Sequence, residues 1–87
     1  MFYKSCPKID LHGMDSEYAT LKVKEFINDN YKLENTEVLI VHGIGTGILK
    51  KAVHRYLKNE KLVKEIKMDF FNLGSTIVVL EKKKPNS

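Results

Sequence analysis

The sequence predicts an α/β fold, a two-layer sandwich of order βαβαββ with a four-stranded mixed sheet and both helices on one face. Three observations predict it. Two amphipathic helical stretches alternate with strand-like segments; each strand–helix–strand unit must close as a right-handed crossover between parallel strands, which puts both helices on the same side; and the last two strands are joined by a turn too short for a helix, which makes them an antiparallel hairpin.

Each element has its own signal. Residues 1–7 read as an N-terminal arm held extended by Pro7. Lys8-Ile9-Asp10-Leu11-His12 alternates polar and apolar, so Ile9 and Leu11 share one strand face while Asp10 and His12 share the other. Gly13 ends the strand, and Asp15 or Ser16 can cap a helix over about 16–31. Its core stripe is Ala19, Val23, Phe26 and Ile27, with Tyr31 near the end. Val38-Leu39-Ile40-Val41 is a short buried strand leading into His42-Gly43-Ile44-Gly45-Thr46-Gly47. A second helix, about 46–59, follows with Leu49, Ala52, Val53, Tyr56 and Leu57 on one stripe. A third strand is expected over 65–71, with Ile66, Met68 and Phe70 alternating with charge, then a turn at Asn72–Ser75. The fourth strand, Thr76–Leu80, is apolar almost throughout and belongs in the sheet interior between the second and third, antiparallel to both. The structured domain is expected over 8–81, and 82–87 form a basic, disordered tail.

Composition narrows the function classes. The chain has 87 residues, 43% hydrophobic and 30% charged, which fits one small globular domain. No apolar run reaches the roughly 20 residues of a membrane span, and the first residues lack the apolar core of a secretion signal, so a cytoplasmic protein with no membrane partner is expected. The single cysteine, Cys6, has no disulfide partner and no metal-ligand spacing. A formal charge of +4 favours a polyanionic partner.

The strand, glycine turn and helix start around His42–Gly47 put backbone amides and the positive end of a helix dipole at one sheet edge, a place suited to phosphate. Two strands end alike, Asp10-Leu11-His12-Gly13 and Val41-His42-Gly43, and parallel strands bring both ends to that edge. Asp10 can orient His12 and favour its imidazolium, and His42 is a second candidate for proton transfer. Gly43, Gly45 and Gly47 either supply positive φ or admit an oxyanion close to backbone, and the two uses are compatible. Lys50 and Lys51 lie in the first turn of the second helix, where the dipole disfavours cations unless an anion is near. With Arg55 and Lys58 they form a charged face that serves solubility as readily as a nucleic-acid backbone. The turn is neither the dinucleotide fingerprint nor a triphosphate loop, because Gly45-Thr46-Gly47-Ile48 lacks the further glycine and no Gly-Lys-Ser/Thr follows. A nucleotide cofactor is therefore not expected.

Ile9–Gly13, Val41–Val53 and Ser75–Leu80 together, in this order and separation, resemble the Smr (small MutS-related) domain over about residues 8–81, in a short stand-alone form. The resemblance implies a sandwich like the C-terminal domain of translation initiation factor 3, together with nucleic-acid binding and endonuclease activity. It implies DNA nicking, as in domains attached to MutS2 proteins, or RNA cleavage linked to stalled ribosomes, with a ribosome-associated partner. The family's Asp-Leu-His-Gly falls on Asp10–Gly13 and its His-Gly-x-Gly-x-Gly on His42–Gly47. Lys50 stands where the family commonly has arginine, Ile44 where it often has a basic residue, and the Asn72–Ser75 turn is shorter than usual. No MutS-like ATPase segment accompanies these residues, so targeting is expected to come from the domain or a partner.

The leading expectation is an endonuclease with Asp10, His12 and His42 as catalytic groups. Gly43, Gly45, Gly47 and Lys50 would hold the phosphate, and Lys51, Arg55 and Lys58 would follow the backbone. RNA is favoured over DNA, since its 2′-hydroxyl is an internal nucleophile, whereas DNA cleavage must activate water, usually with a divalent metal. The alternatives are a binding module without catalysis, and a metal site built from His12, His42 and Asp10.

Overall fold

A computed structural model describes residues 6–69 and 72–83. The elements are β1 (Lys8–Asp10), α1 (Ser16–Lys32), β2 (Glu37–Val41), α2 (Ile48–Lys58), β3 (Val63–Met68) and β4 (Ser75–Leu80). They form one four-stranded sheet in the order β1-β2-β4-β3. β1 and β2 are parallel, and β4 is antiparallel to both β2 and β3. The mixed sheet of the βαβαββ chain, with its apolar last strand inside, is the arrangement expected from the sequence.

The alternation of β2 and β4 builds the core. Val38 and Ile40 on β2, and Val78 and Leu80 on β4, are fully or almost fully buried against Ala19, Val23 and Ile27 of α1 and Val53 and Leu57 of α2. One apolar cluster thus serves both helices on one sheet face, each buried Val, Leu or Ile contributing about 1.5–3 kcal/mol by its removal from water. Asp15 caps α1, its Oδ2 accepting the amides of Glu17 and Tyr18 at 3.1 and 3.4 Å. At the other end the core stripe runs through Asn30, whose amide donates to the Phe26 carbonyl at 2.8 Å while its Oδ1 accepts from Asn35 at 2.8 Å. Tyr31, expected on that stripe, is only half-buried.

Two boundaries differ from expectation for identifiable reasons. β1 stops at Asp10 because Leu11–Met14 close a turn, with the Met14 amide donating to the Leu11 carbonyl at 3.0 Å. β3, Val63–Met68, begins two residues before the expected 65, and a one-residue bulge between Val63 and Glu65 resets its alternation, while residues 70–71 of the expected strand lie outside the described residues. Val63 and Ile66, three apart, therefore both pack on the core, while Met68 at the end of this edge strand is 52% exposed. Phe70, expected to continue the strand, lies outside the described residues, as do residues 1–5 and 84–87 of the arm and tail. Of the arm, Pro7 is tied to β2, its carbonyl accepting the Leu39 amide at 2.8 Å, and the Cys6 thiol donates to the Glu37 carbonyl at 3.1 Å. No helix among the described residues is long and apolar enough to cross a membrane.

Candidate functional site

β1 and β2 run parallel in the register Ile9–Ile40 and Asp10–Val41, so the two His-Gly pairs emerge at the same sheet edge. They are brought side by side: a Cβ placed on Gly43 would lie 3.5 Å from the Cβ of His12. A cleft of about 390 Å³ opens there, lined by residues 13–16 from the start of α1 and 42–50 from the glycine turn and the start of α2.

Asp10 and His12 form an exposed pair next to Gly13 and Gly43, outside the lining of the cleft itself. His12 Nδ1 lies 2.8 Å from Asp10 Oδ1, which also accepts the His12 backbone amide at 3.1 Å. The hydrogen bond from the ring, and then the carboxylate charge, hold the His12 imidazole above its ordinary value. The same bond, aided by the backbone amide, holds the Asp10 carboxyl below its own.

His42 is differently placed. It continues the buried phase of Val38 and Ile40, whereas Asp10 pairs with Val41 on the opposite sheet face. His42 is 3% exposed, and both ring nitrogens are engaged within the protein: Nδ1 lies 2.9 Å from the Gly43 carbonyl and Nε2 lies 2.8 Å from Thr76 Oγ1. The set His12, His42 and Asp10 is consequently not assembled, and among the described residues no three His, Cys, Asp or Glu side chains converge to hold a metal. The reason was present in the alternation, since a residue in phase with two core positions points inward.

The glycine turn keeps its shape through backbone geometry. Gly43 and Gly47 adopt φ of 83° and 84°, and Gly47 stands at the N-cap of α2 with no side-chain cap. The Gly74 carbonyl receives the amides of both His42 and Gly43, at 2.8 and 2.9 Å. The Gly43 amide is therefore occupied, contrary to its expected role in holding phosphate. The amides of Ile44, Gly45, Thr46 and Gly47 have no partner among the described residues. These four residues line the cleft, where unpaired amides are what an oxyanion requires, while the Ile48 amide that opens α2 donates to Thr46 Oγ1 at 3.4 Å. Of the four cations expected to contact nucleic acid, Lys50 lines this cleft. Arg55 borders a separate groove of about 560 Å³ between the helices, beside Tyr56 and Asn59. Lys51 and Lys58 are exposed on α2 and line neither.

Three residues outside the expected set shape the site. Thr76 is 1% exposed in the core-facing phase of β4, and its hydroxyl also lies 2.8 Å from His54 Nε2. The His42 and His54 rings stand edge to face with centroids 6.0 Å apart. Burial, and then the charges of His42, Lys50 and Lys58, push the His54 imidazole below its ordinary value. Gly74 is the third, packed so closely that a Cβ there would lie 3.2 Å from Gly43 Cα. A polar residue inside the apolar run Thr76–Leu80 was the available signal for Thr76. His54 was hidden within a run of basic residues.

The Smr domain family model matches residues 9–81. Endonuclease MutS2 of Clostridium perfringens is 40% identical over 74 residues, which are 85% of this chain and 9% of that protein. Endonuclease MutS2 of Clostridium botulinum is 41% identical over 83 residues, 92% of this chain and 11% of that protein. The chain thus spans about a tenth of the length of these relatives. The crystal structure of the Smr domain of Thermus thermophilus MutS2 superposes with a TM-score of 0.82 at 27% identity, covering 86% of this chain and 98% of that one. YdaL, a stand-alone small MutS-related protein from Escherichia coli, shares the fold with a TM-score of 0.82 at 24% identity, covering 86% of this chain and 64% of YdaL. With the paired His-Gly strand ends, the glycine turn and the sheet order all accounted for, this chain belongs to the Smr domain family.

Proposed function

We propose that this chain binds nucleic acid across the cleft and cleaves phosphodiester bonds, acting on RNA in preference to DNA. The observation that carries this reading is the exposed His12–Asp10 pair beside a turn with four unpartnered amides. A phosphate seated on the Ile44–Gly47 amides and Lys50 brings its ribose towards His12, whose Cβ lies beside Gly43. Neutral His12, oriented by Asp10, takes the proton of the 2′-hydroxyl as its oxygen attacks phosphorus. The bond to the 5′-oxygen breaks, and that leaving oxygen takes its proton from water. The amides and Lys50 stabilise the charge that builds on the phosphoryl oxygens. His42 enters as the residue that holds the Gly43 carbonyl and so the turn, in place of the second proton-transfer group expected from the sequence. Membership of the Smr family, and the endonuclease name of its MutS2 relatives, support the reaction class.

Incubating the purified chain with matched RNA, 2′-O-methyl RNA and DNA, with and without EDTA, tests this reading. Cutting of RNA alone that survives EDTA is the expected result. Cleavage undiminished in His12→Ala would overturn it.

A second reading, a binding module without catalysis, is favoured by the enclosure of His42, which leaves His12 as the exposed imidazole at this edge. It requires salt-sensitive binding with no product at long incubation.

A further inference from the structure

We propose that His54 is a positioning residue, the outer end of a hydrogen-bonded relay, His54 Nε2 to Thr76 Oγ1 to His42 Nε2, through which the enclosed His42 exchanges protons with solvent. Both contacts in the relay are 2.8 Å. His42 is 3% exposed and Thr76 1%, whereas His54 is only half-buried on α2.

The direction of the relay follows from counting protons. His42 Nδ1 faces a carbonyl oxygen, which only accepts, so Nδ1 must carry a hydrogen. In the neutral ring Nε2 is then a bare acceptor, and the atom beside it is the Thr76 hydroxyl. Donation to His42 uses the single proton of that hydroxyl, so Thr76 Oγ1 can only accept from His54. His54 must therefore present Nε2–H, which leaves its Nδ1 as the site for an incoming proton. When a proton binds there, Nε2–H passes to Thr76 Oγ1 as the hydroxyl proton moves to His42 Nε2. His54 is left neutral in the Nδ1–H form, Thr76 keeps a hydroxyl, and His42 becomes imidazolium.

The titratable and charged groups acting on His54 are His42 at the end of β2 and Lys50 and Lys58 on its own helix, and from β4 the Thr76 hydroxyl contacts it. Lys50 and Lys58 oppose a charge resting on His54, and the Nδ1–H of the receiving ring is held by the Gly43 carbonyl. What a charged His42 does to a bound phosphate rests on the function proposed above. The relay itself does not, and its test reads the rings rather than cleavage.

The test is ¹⁵N NMR of the histidine side chains in the full chain, with relaxation dispersion at the ring nitrogens. Expected are a neutral His42 protonated on Nδ1, a His54 protonated on Nε2, and exchange at the two Nε2 atoms with one common rate. Thr76→Ser keeps the hydroxyl and should keep the common rate, while Thr76→Val should lose it. His54→Phe changes only the half-buried end, and in it exchange at His42 Nε2 should also be lost. If Thr76→Val does not fold, His54→Phe decides. A neutral His42 protonated on Nε2, or exchange at that atom unchanged in His54→Phe, would overturn the proposal.

Discussion

His12 Nδ1 lies 2.8 Å from Asp10 Oδ1, and that one carboxylate oxygen accepts both the ring and the backbone amide of the same histidine. The pair is exposed on the protein surface, with side-chain exposures of 74% and 55%. Its effect is therefore read most directly in titration, with only a small contribution to global stability.

Asp10→Asn should lower the midpoint of the His12 titration, read from the ring Cε1 proton by NMR. The sign follows from linkage. A raised imidazole value adds stability that is complete below the ordinary 6.5 and is lost as pH rises through the folded value. A lowered carboxyl value adds stability that is complete above the ordinary 3.8 and is lost as pH falls through the folded value. The pair thus helps most between 3.8 and 6.5, and both margins should shrink in the variant. An unchanged His12 midpoint would contradict this account.

The two motif histidines should separate cleanly when truncated. His12→Ala, at an exposed position, should leave Tm unchanged within error. His42→Ala removes a buried ring and strips partners from Thr76 and from the Gly43 carbonyl. It should cost about 1–3 kcal/mol for the unpaired groups alone, before any cavity is counted. Equal thermal stability of the two variants would show that His42 does not anchor the turn.

This division was half legible in the sequence. The alternation Val38, Ile40, His42 already points His42 inward, but the matching His-Gly endings of two strands invite the reading that both histidines do the same work. Sheet order, the sandwich and the shared edge followed from periodicity and crossover handedness, because those are local patterns combined with one topological rule. The contact of His54 with Thr76 was not legible even though β4 was expected beside β2: it joins α2 to β4 across 22 residues, and no local periodicity sets which side chain of α2 meets that hydroxyl. The β3 bulge was hidden for another reason. An extra residue in one strand is invisible until its partner is known, and it turned an expected alternation into the spacing Val63, Ile66.

Alanine at two glycines should harm the fold by different routes. At Gly47 there is open space but φ is 84°, so Gly47→Ala should cost about 1–2 kcal/mol through backbone strain. At Gly74 the obstacle is crowding, with Gly43 Cα at 3.2 Å and Gly43 C at 3.3 Å from the new Cβ. These are backbone atoms held by the Gly74 carbonyl itself, so Gly74→Ala should cost about 1–3 kcal/mol. Gly74→Ala should also shift the amide signals of Ile44–Gly47 by NMR, while Gly47→Ala should spare the His42 ring. Denaturant melts give the energies, and a neutral Gly74→Ala would mean that the two turns are not in register as described.

The cleft's lysine offers the sharpest reading of nucleic-acid contact. Lys50 lines the cleft at the start of α2, while Lys24 stands on the exposed face of α1 and lines neither cleft nor groove. If Lys50 neutralises one phosphate, Lys50→Ala should reduce the slope of log K against log salt by about 0.7–0.9, the value for one released counterion. Lys24→Ala should leave that slope unchanged. Lys50→Arg should keep the slope and tighten binding, because a guanidinium engages two phosphate oxygens where an ammonium offers a point charge. The measurement is fluorescence anisotropy with a short labelled RNA across a salt series. The same loss of slope in Lys24→Ala and Lys50→Ala would mean that binding follows net charge, and the cleft would lose its claim as the place where phosphate sits.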